Sequence, residues 1–127
     1  MKQLYILLFL FVSSISVSQI ITIPDANFKA KLLESNTTNQ IASSTINSFT
    51  PMVIDTNGNG EIEVSEALLV RRIDVSNSSI NSMEGVQNFT GLRYLNCSNN
   101  SIISLDVNNL LNLVDLNCSN NLLTTLI

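Results

Sequence analysis

Between Asp55 and Glu66 the chain reads Asp-Thr-Asn-Gly-Asn-Gly-Glu-Ile-Glu-Val-Ser-Glu, a spacing of oxygen-bearing groups that suits a hard divalent cation. Asp55, Asn57 and Asn59 offer side-chain oxygens at the first, third and fifth of the twelve positions. Gly60 permits the sharp turn at the sixth, and Glu61 supplies its backbone carbonyl at the seventh. Glu63 stands at the ninth, where a ligand often acts through water, and Glu66 at the twelfth can bind with both oxygens. The expected cofactor is therefore Ca2+, with Ile62 anchoring the loop in a core. The competing reading is a polar Asn-Gly turn with incidental acids. All the defined loop positions agree with calcium, as do the apolar anchor and a helix expected over Val64 to Arg71, so calcium is preferred. Asn in place of Asp at the third and fifth positions lowers the ligand charge, which favours a weak structural clamp over a switch.

A second group of candidate residues is polar and periodic. Arg72 and Asp74, then Tyr94 and Asn96, then Asp115 and Asn117 occupy equivalent alternate positions of three short segments, followed by Ser76, Ser98 and Ser119. If those segments are parallel strands, the six side chains share one outward face and form a binding surface. Tyr94 is the aromatic among them, and tyrosine gives large contact area at low entropy cost, as at binding hot spots. A residue held there by β propensity alone is the other reading of Tyr94.

What must position these residues is a pattern written twice. Leu92, Leu95, Cys97, Asn100, Ile102 and Leu105 recur 21 residues later as Leu113, Leu116, Cys118, Asn121, Leu123 and Leu126. The period falls within the roughly 20 to 29 residues of leucine-rich repeats. A fainter copy lies upstream at Val70, Ile73, Val75, Ile80 and Met83, with Ser78 where the asparagine should be. The apolar positions are expected to point inward, and Asn100 and Asn121 to turn inward and bond backbone groups left unpaired at each bend. Cys97 and Cys118 would stand parallel on neighbouring strands, a geometry ill suited to a disulfide dihedral, and buried thiols are expected.

Ahead of the repeats, Pro24 to Leu33 predicts a short amphipathic helix capped by Asp25, with Phe28 and Leu32 on one face. It is too short to stand alone and should cover the exposed end of the repeat core. Glu34 to Thr50, rich in Ser, Thr and Asn, reads as a loop. Met1 to Ser18 reads as a signal peptide: Lys2 is followed by the apolar run Leu4 to Val12 and by Ser16-Val17-Ser18. The run is too short to span about 30 Å of hydrocarbon, so export with cleavage before Gln19 is expected and no stable membrane insertion afterwards.

Composition excludes several classes. With 127 residues the chain is one small domain, and its net charge of −4 gives no basic footprint for nucleic acid. The absence of histidine removes Ser-His and Cys-His nucleophile pairs, so no enzyme is expected.

The export signal, Ile23-Pro24-Asp25-Ala26-Asn27-Phe28, the acidic loop and the two Asn-Cys-Ser repeats together resemble secreted bacterial leucine-rich-repeat proteins with an N-terminal EF-hand-like calcium loop. The EF-hand likeness is partial, because Ser48-Phe49-Thr50-Pro51 makes a poor entering helix and no second loop follows. The expected fold is α/β: a short leucine-rich-repeat solenoid of about three repeats with parallel strands, under an N-terminal helical, EF-hand-like cap. The expected divisions are a signal peptide at 1–18, a cap at 19–69 and repeats at 70–127, the repeats truncated at the C-terminus. Leu126 and Ile127 stop the last repeat halfway through its return, so self-association through an uncapped apolar end is a further expectation. The resemblance implies a secreted or cell-surface location and binding of a protein or glycan. The alternatives are a structural cap or spacer, or an accessory domain of a larger secreted protein such as a hydrolase.

Overall fold

The computed structural model describes residues 18–127. The signal peptide read over 1–18 thus lies outside the described residues apart from Ser18. Among the described residues no helix is long and apolar enough to cross a membrane.

Helix α1 spans Ala26–Leu33 and buries Phe28 and Leu32, the i, i+4 pair that its sequence places on one face. Asp25 starts it with a carboxylate oxygen that accepts from the Asn27 and Phe28 backbone N–H groups. Its other oxygen accepts from the N–H groups of Asn81 and Ser82, at 2.8 and 3.0 Å. One side chain therefore caps a helix and pins it to a bend more than fifty residues on. Burial works to raise the Asp25 pKa, and these four N–H bonds outweigh it, leaving the carboxyl below its ordinary value.

The second helix, α2, covers only Val64–Ala67, half of the length expected over Val64 to Arg71. The helix stops at its C-cap Leu68; beyond it Arg71 sends its guanidinium back to the Leu68 and Val70 carbonyls, and its own N–H pairs with the Ser43 carbonyl.

The strands are short: β1 (Ala42–Ser43), β2 (Arg72–Asp74), β3 (Tyr94–Asn96), β4 (Ser104–Leu105), β5 (Asp115–Asn117) and β6 (Thr125–Leu126). Four form one sheet in the order β1-β2-β3-β5, and β4 with β6 forms a separate parallel pair. Here the expected leucine-rich-repeat solenoid is overturned. The described residues form a small α/β fold of two α-helices, a mixed four-stranded sheet and a two-stranded parallel sheet, and no solenoid is detected among them. The sheet is mixed because β1 comes from the segment read as loop and runs antiparallel to β2, pairing Ala42 with Ile73 and Ser43 with Arg72. The reversed strand at the edge gives a mixed sheet in place of a stack of identical parallel rungs.

The sequence period does set the register of the parallel part. Arg72 pairs with Tyr94 and Tyr94 with Asp115, Asp74 with Asn96 and Asn96 with Asn117. Asn100 turns inward as its spacing requires: its oxygen accepts from the Ser78 and Ile80 N–H groups, and its amide donates to the Val75, Cys97 and Ser98 carbonyls. Asn121 does the same one period later, toward Ile102, Cys97, Cys118 and Ser119.

A single apolar core runs from Ile21 to Leu110, across the boundary drawn at residue 69. Gly85 shows how close the N-terminal segment lies. At φ +103° it adopts a backbone that L side chains avoid, and a Cβ there would meet Ile23 at 2.8 Å and the Thr22 carbonyl at 2.9 Å.

Candidate functional site

The acidic loop is ordered by its own side chains. Asp55 accepts from the Gly58 and Asn59 N–H groups on one oxygen and from Gly60 on the other. Asn57 accepts from the Asn59 N–H, and Asn59 from the Glu61 N–H. Their amide nitrogens both donate to Glu63, at 3.2 and 2.7 Å. The loop closes onto α2 through a reciprocal cap: Glu66 accepts from the Glu63 N–H on one oxygen and from the Thr56 N–H and hydroxyl on the other. Burial pushes the Glu66 pKa upward, but bonds from Glu63 and Thr56 hold it below the ordinary value.

The loop is fixed to the body on two sides. Ile62 is fully buried, and the N-terminal segment pairs beside it, with Ile21 N–H on the Ile62 carbonyl and Val64 N–H on the Gln19 carbonyl. Lys29 of α1 meets Glu61 at 2.7 Å. The sequence offered no second loop to pair with this one, and residues 19–21 take that place.

As for metal chemistry, no three His, Cys, Asp or Glu side chains among the described residues gather closely enough to hold an ion. The donor set is oxygen throughout. Asp55 and Glu66 each accept three hydrogen bonds, whereas a carboxylate offers about four lone-pair sites. The amide oxygens of Asn57 and Asn59 accept one each. Oxygen donors with spare lone pairs on a tight turn fit a hard cation and suit no soft one. Among the described residues, Asp55, Glu63 and Glu66 have no cationic partner.

On the sheet face, Arg72, Asp74, Tyr94, Asn96, Asp115 and Asn117 all line one open cleft of about 300 Å³. The sequence reading missed two of its walls, Gln40 and Phe49, because both lie in the aperiodic segment that carries β1. Phe49 had a signal in retrospect: it is the one aromatic in that polar stretch. The Arg72 guanidinium carbon lies 4.4 Å from the centre of the Tyr94 ring and 5.9 Å from that of Phe49. Both distances are within cation–π range.

Asp74, Asn96 and the Asn117 oxygen already have partners within the sheet face. Asp74 accepts from the Ser76 N–H and hydroxyl and from the Asn96 amide. The Asn96 and Asn117 oxygens are taken by Ser98 and Ser119. Cys97 is a buried free thiol, pushed up to about 12 by burial and by neighbouring Cys118, and takes no part in the cleft.

Compared with protein-family models the chain matches none, and comparison with curated proteins gives no match either.

Proposed function

We propose that the chain is an exported, non-enzymatic binding module that acts at the cell surface, holding a protein or glycan ligand in the cleft above Arg72 and Tyr94, with calcium clamping the Asp55–Glu66 loop. The observation that carries this reading is the state of Arg72. Its guanidinium is stacked on an aromatic ring, yet among the described residues its N–H groups have no hydrogen-bond partner and no ion-pair partner. A guanidinium held flat by a ring keeps its fork of donors in one plane, oriented for a carboxylate or a pair of hydroxyls, and little side-chain entropy remains to be lost on binding. Asp115, two strands away, and the Asn117 amide supply complementary polar contacts on the same face.

A glycan array and a surface pull-down with wild type, Arg72→Ala and Tyr94→Ala test the cleft. Loss of binding in both variants supports it. Binding that survives both places the partner elsewhere, and no binding at all favours the spacer reading.

In the loop, Asp55, Asn57, Asn59 and Glu66 would hold calcium through side-chain oxygens, Glu61 through its carbonyl and Glu63 through water. Bound calcium would neutralise the loop's carboxylates and stiffen its turn. Affinity is expected on the order of 10⁻⁴ to 10⁻³ M, as in extracellular modules. Titration calorimetry on wild type and Glu66→Gln checks it: absent heat, or the same heat from both, removes calcium from the reading.

A further inference from the structure

The loop contains the chain's two Asn-Gly pairs, Asn57-Gly58 and Asn59-Gly60. We propose that both are sites of spontaneous deamidation, held in check by the Asp55 and Glu63 carboxylates, and that Asn57 converts first.

The reaction needs no enzyme. The Gly58 backbone nitrogen loses its proton and attacks the Asn57 side-chain carbonyl carbon. A C–N bond forms, the amide nitrogen leaves as ammonia with a proton, and a five-membered succinimide remains. Water opens that ring at one of its two carbonyls, giving aspartate or its β-linked isomer. The net change is amide plus water to acid plus ammonia. Glycine favours it because no Cβ obstructs the attacking nitrogen. Here a Cβ built at Gly58 or Gly60 would meet nothing within 4 Å, so the ring has space to close.

What the fold adds is restraint at both ends of the reaction. The attacking nitrogens of Gly58 and Gly60 donate to the two oxygens of Asp55, at 2.8 and 2.9 Å. The departing amides of Asn57 and Asn59 donate to the two oxygens of Glu63, which is 3% exposed. A nitrogen whose proton is held by a carboxylate is a poor nucleophile, and an amide tied to a buried carboxylate does not rotate toward it. Deamidation therefore requires the loop to open. The restraint is weaker at Asn57. Its amide sits 3.2 Å from Glu63 against 2.7 Å for Asn59, and the Asp55 oxygen that holds Gly58 is shared with the Asn59 N–H. Aspartate at either position adds a charge to the loop, and the β-linked isomer adds a backbone carbon that breaks its spacing. Under the calcium reading the first product tightens binding and the second abolishes it. The modification itself does not depend on that reading.

Incubation at mildly alkaline pH followed by peptide mass spectrometry tests the proposal on the full chain. In urea-unfolded protein both asparagines should convert. In the folded wild type conversion should be slower by about tenfold or more, since only the open fraction reacts. Asp55→Ala, folded by circular dichroism, should recover most of the unfolded rate, with Asn57 ahead of Asn59. Asp55→Asn keeps one acceptor oxygen and should fall between, which tests the same restraint where the alanine variant loses its fold. Equal rates in folded and unfolded wild type, no acceleration in whichever Asp55 variant folds, or earlier conversion at an asparagine outside the loop would overturn it.

Discussion

The two copies of the repeated pattern have almost the same residues and very different surroundings. Leu95, Cys97, Ile102 and Leu105 in the first copy are buried, whereas their counterparts Leu116, Cys118 and Leu123 are only partly covered and Leu126 is 55% exposed. The difference lies in neighbours. β3 has a strand on each side, β2 and β5, while β5 has β3 alone. Identical side chains therefore contribute unequally, and a pattern read from sequence fixes which way a residue faces but not how much it buries.

Truncating the paired leucines sets up the largest contrast. Leu95→Ala is expected to cost about 3 kcal/mol and Leu116→Ala about 1 kcal/mol, because the cavity term applies only where the surroundings are closed. Urea denaturation of the two variants measures it, and equal losses would break the comparison. Next come the inward asparagines. Asn100→Ala strands backbone groups of both its own bend and the preceding one and should cost roughly 2 kcal/mol, against about 1 kcal/mol for Asn121→Ala at the more open end.

A third contrast extends to the upstream copy, which is tied to α1 by Asp25 rather than by an asparagine at Ser78. Asp25→Asn should lower stability by about 1 kcal/mol at neutral pH. The pH dependence follows from the lowered folded pKa. The Asp25 contribution is complete above the unfolded value of about 3.9 and is lost as pH falls through the lower folded value. Thermal melts between neutral pH and pH 3 should show wild type and Asp25→Asn converging as the acid end is approached. The smallest effect is chemical rather than energetic. Cys118 should be alkylated readily in the native protein while Cys97 is spared, and reaction at equal rates would mean that the first copy opens as easily as the second.

Period and residue type made much of this legible. Spacings of 22 and 21 residues placed Arg72, Tyr94 and Asp115 in one row, and Asp25 and Phe28 announced α1. The antiparallel β1 was hidden because two residues, Ala42 and Ser43, show no alternation to read, and its pairing depends on where Ile73 lies in space. The solenoid expectation failed at that edge. Phe49 was missed as a wall of the cleft for the same reason. In the acidic loop the donor spacing was visible, but the role of the N-terminal residues 19–21 as its pairing partner was not, since bonds such as Val64 N–H to the Gln19 carbonyl join segments unrelated by any motif.

The inward asparagines also bear on the order in which the chain assembles. Asn100 reaches back to Val75 and Ile80, and Asn121 to Cys97 and Ile102, so each closes a loop of about one period. Loop-closure entropy grows only with the logarithm of length, so successive closures meet nearly equal barriers and each new strand finds its partner already formed. The antiparallel strand is different: Ala42 meets Ile73 across a longer stretch with no periodic guide. Kinetically, the parallel rows should zip together from β2 and β3 outward, with the antiparallel strand β1 docking last.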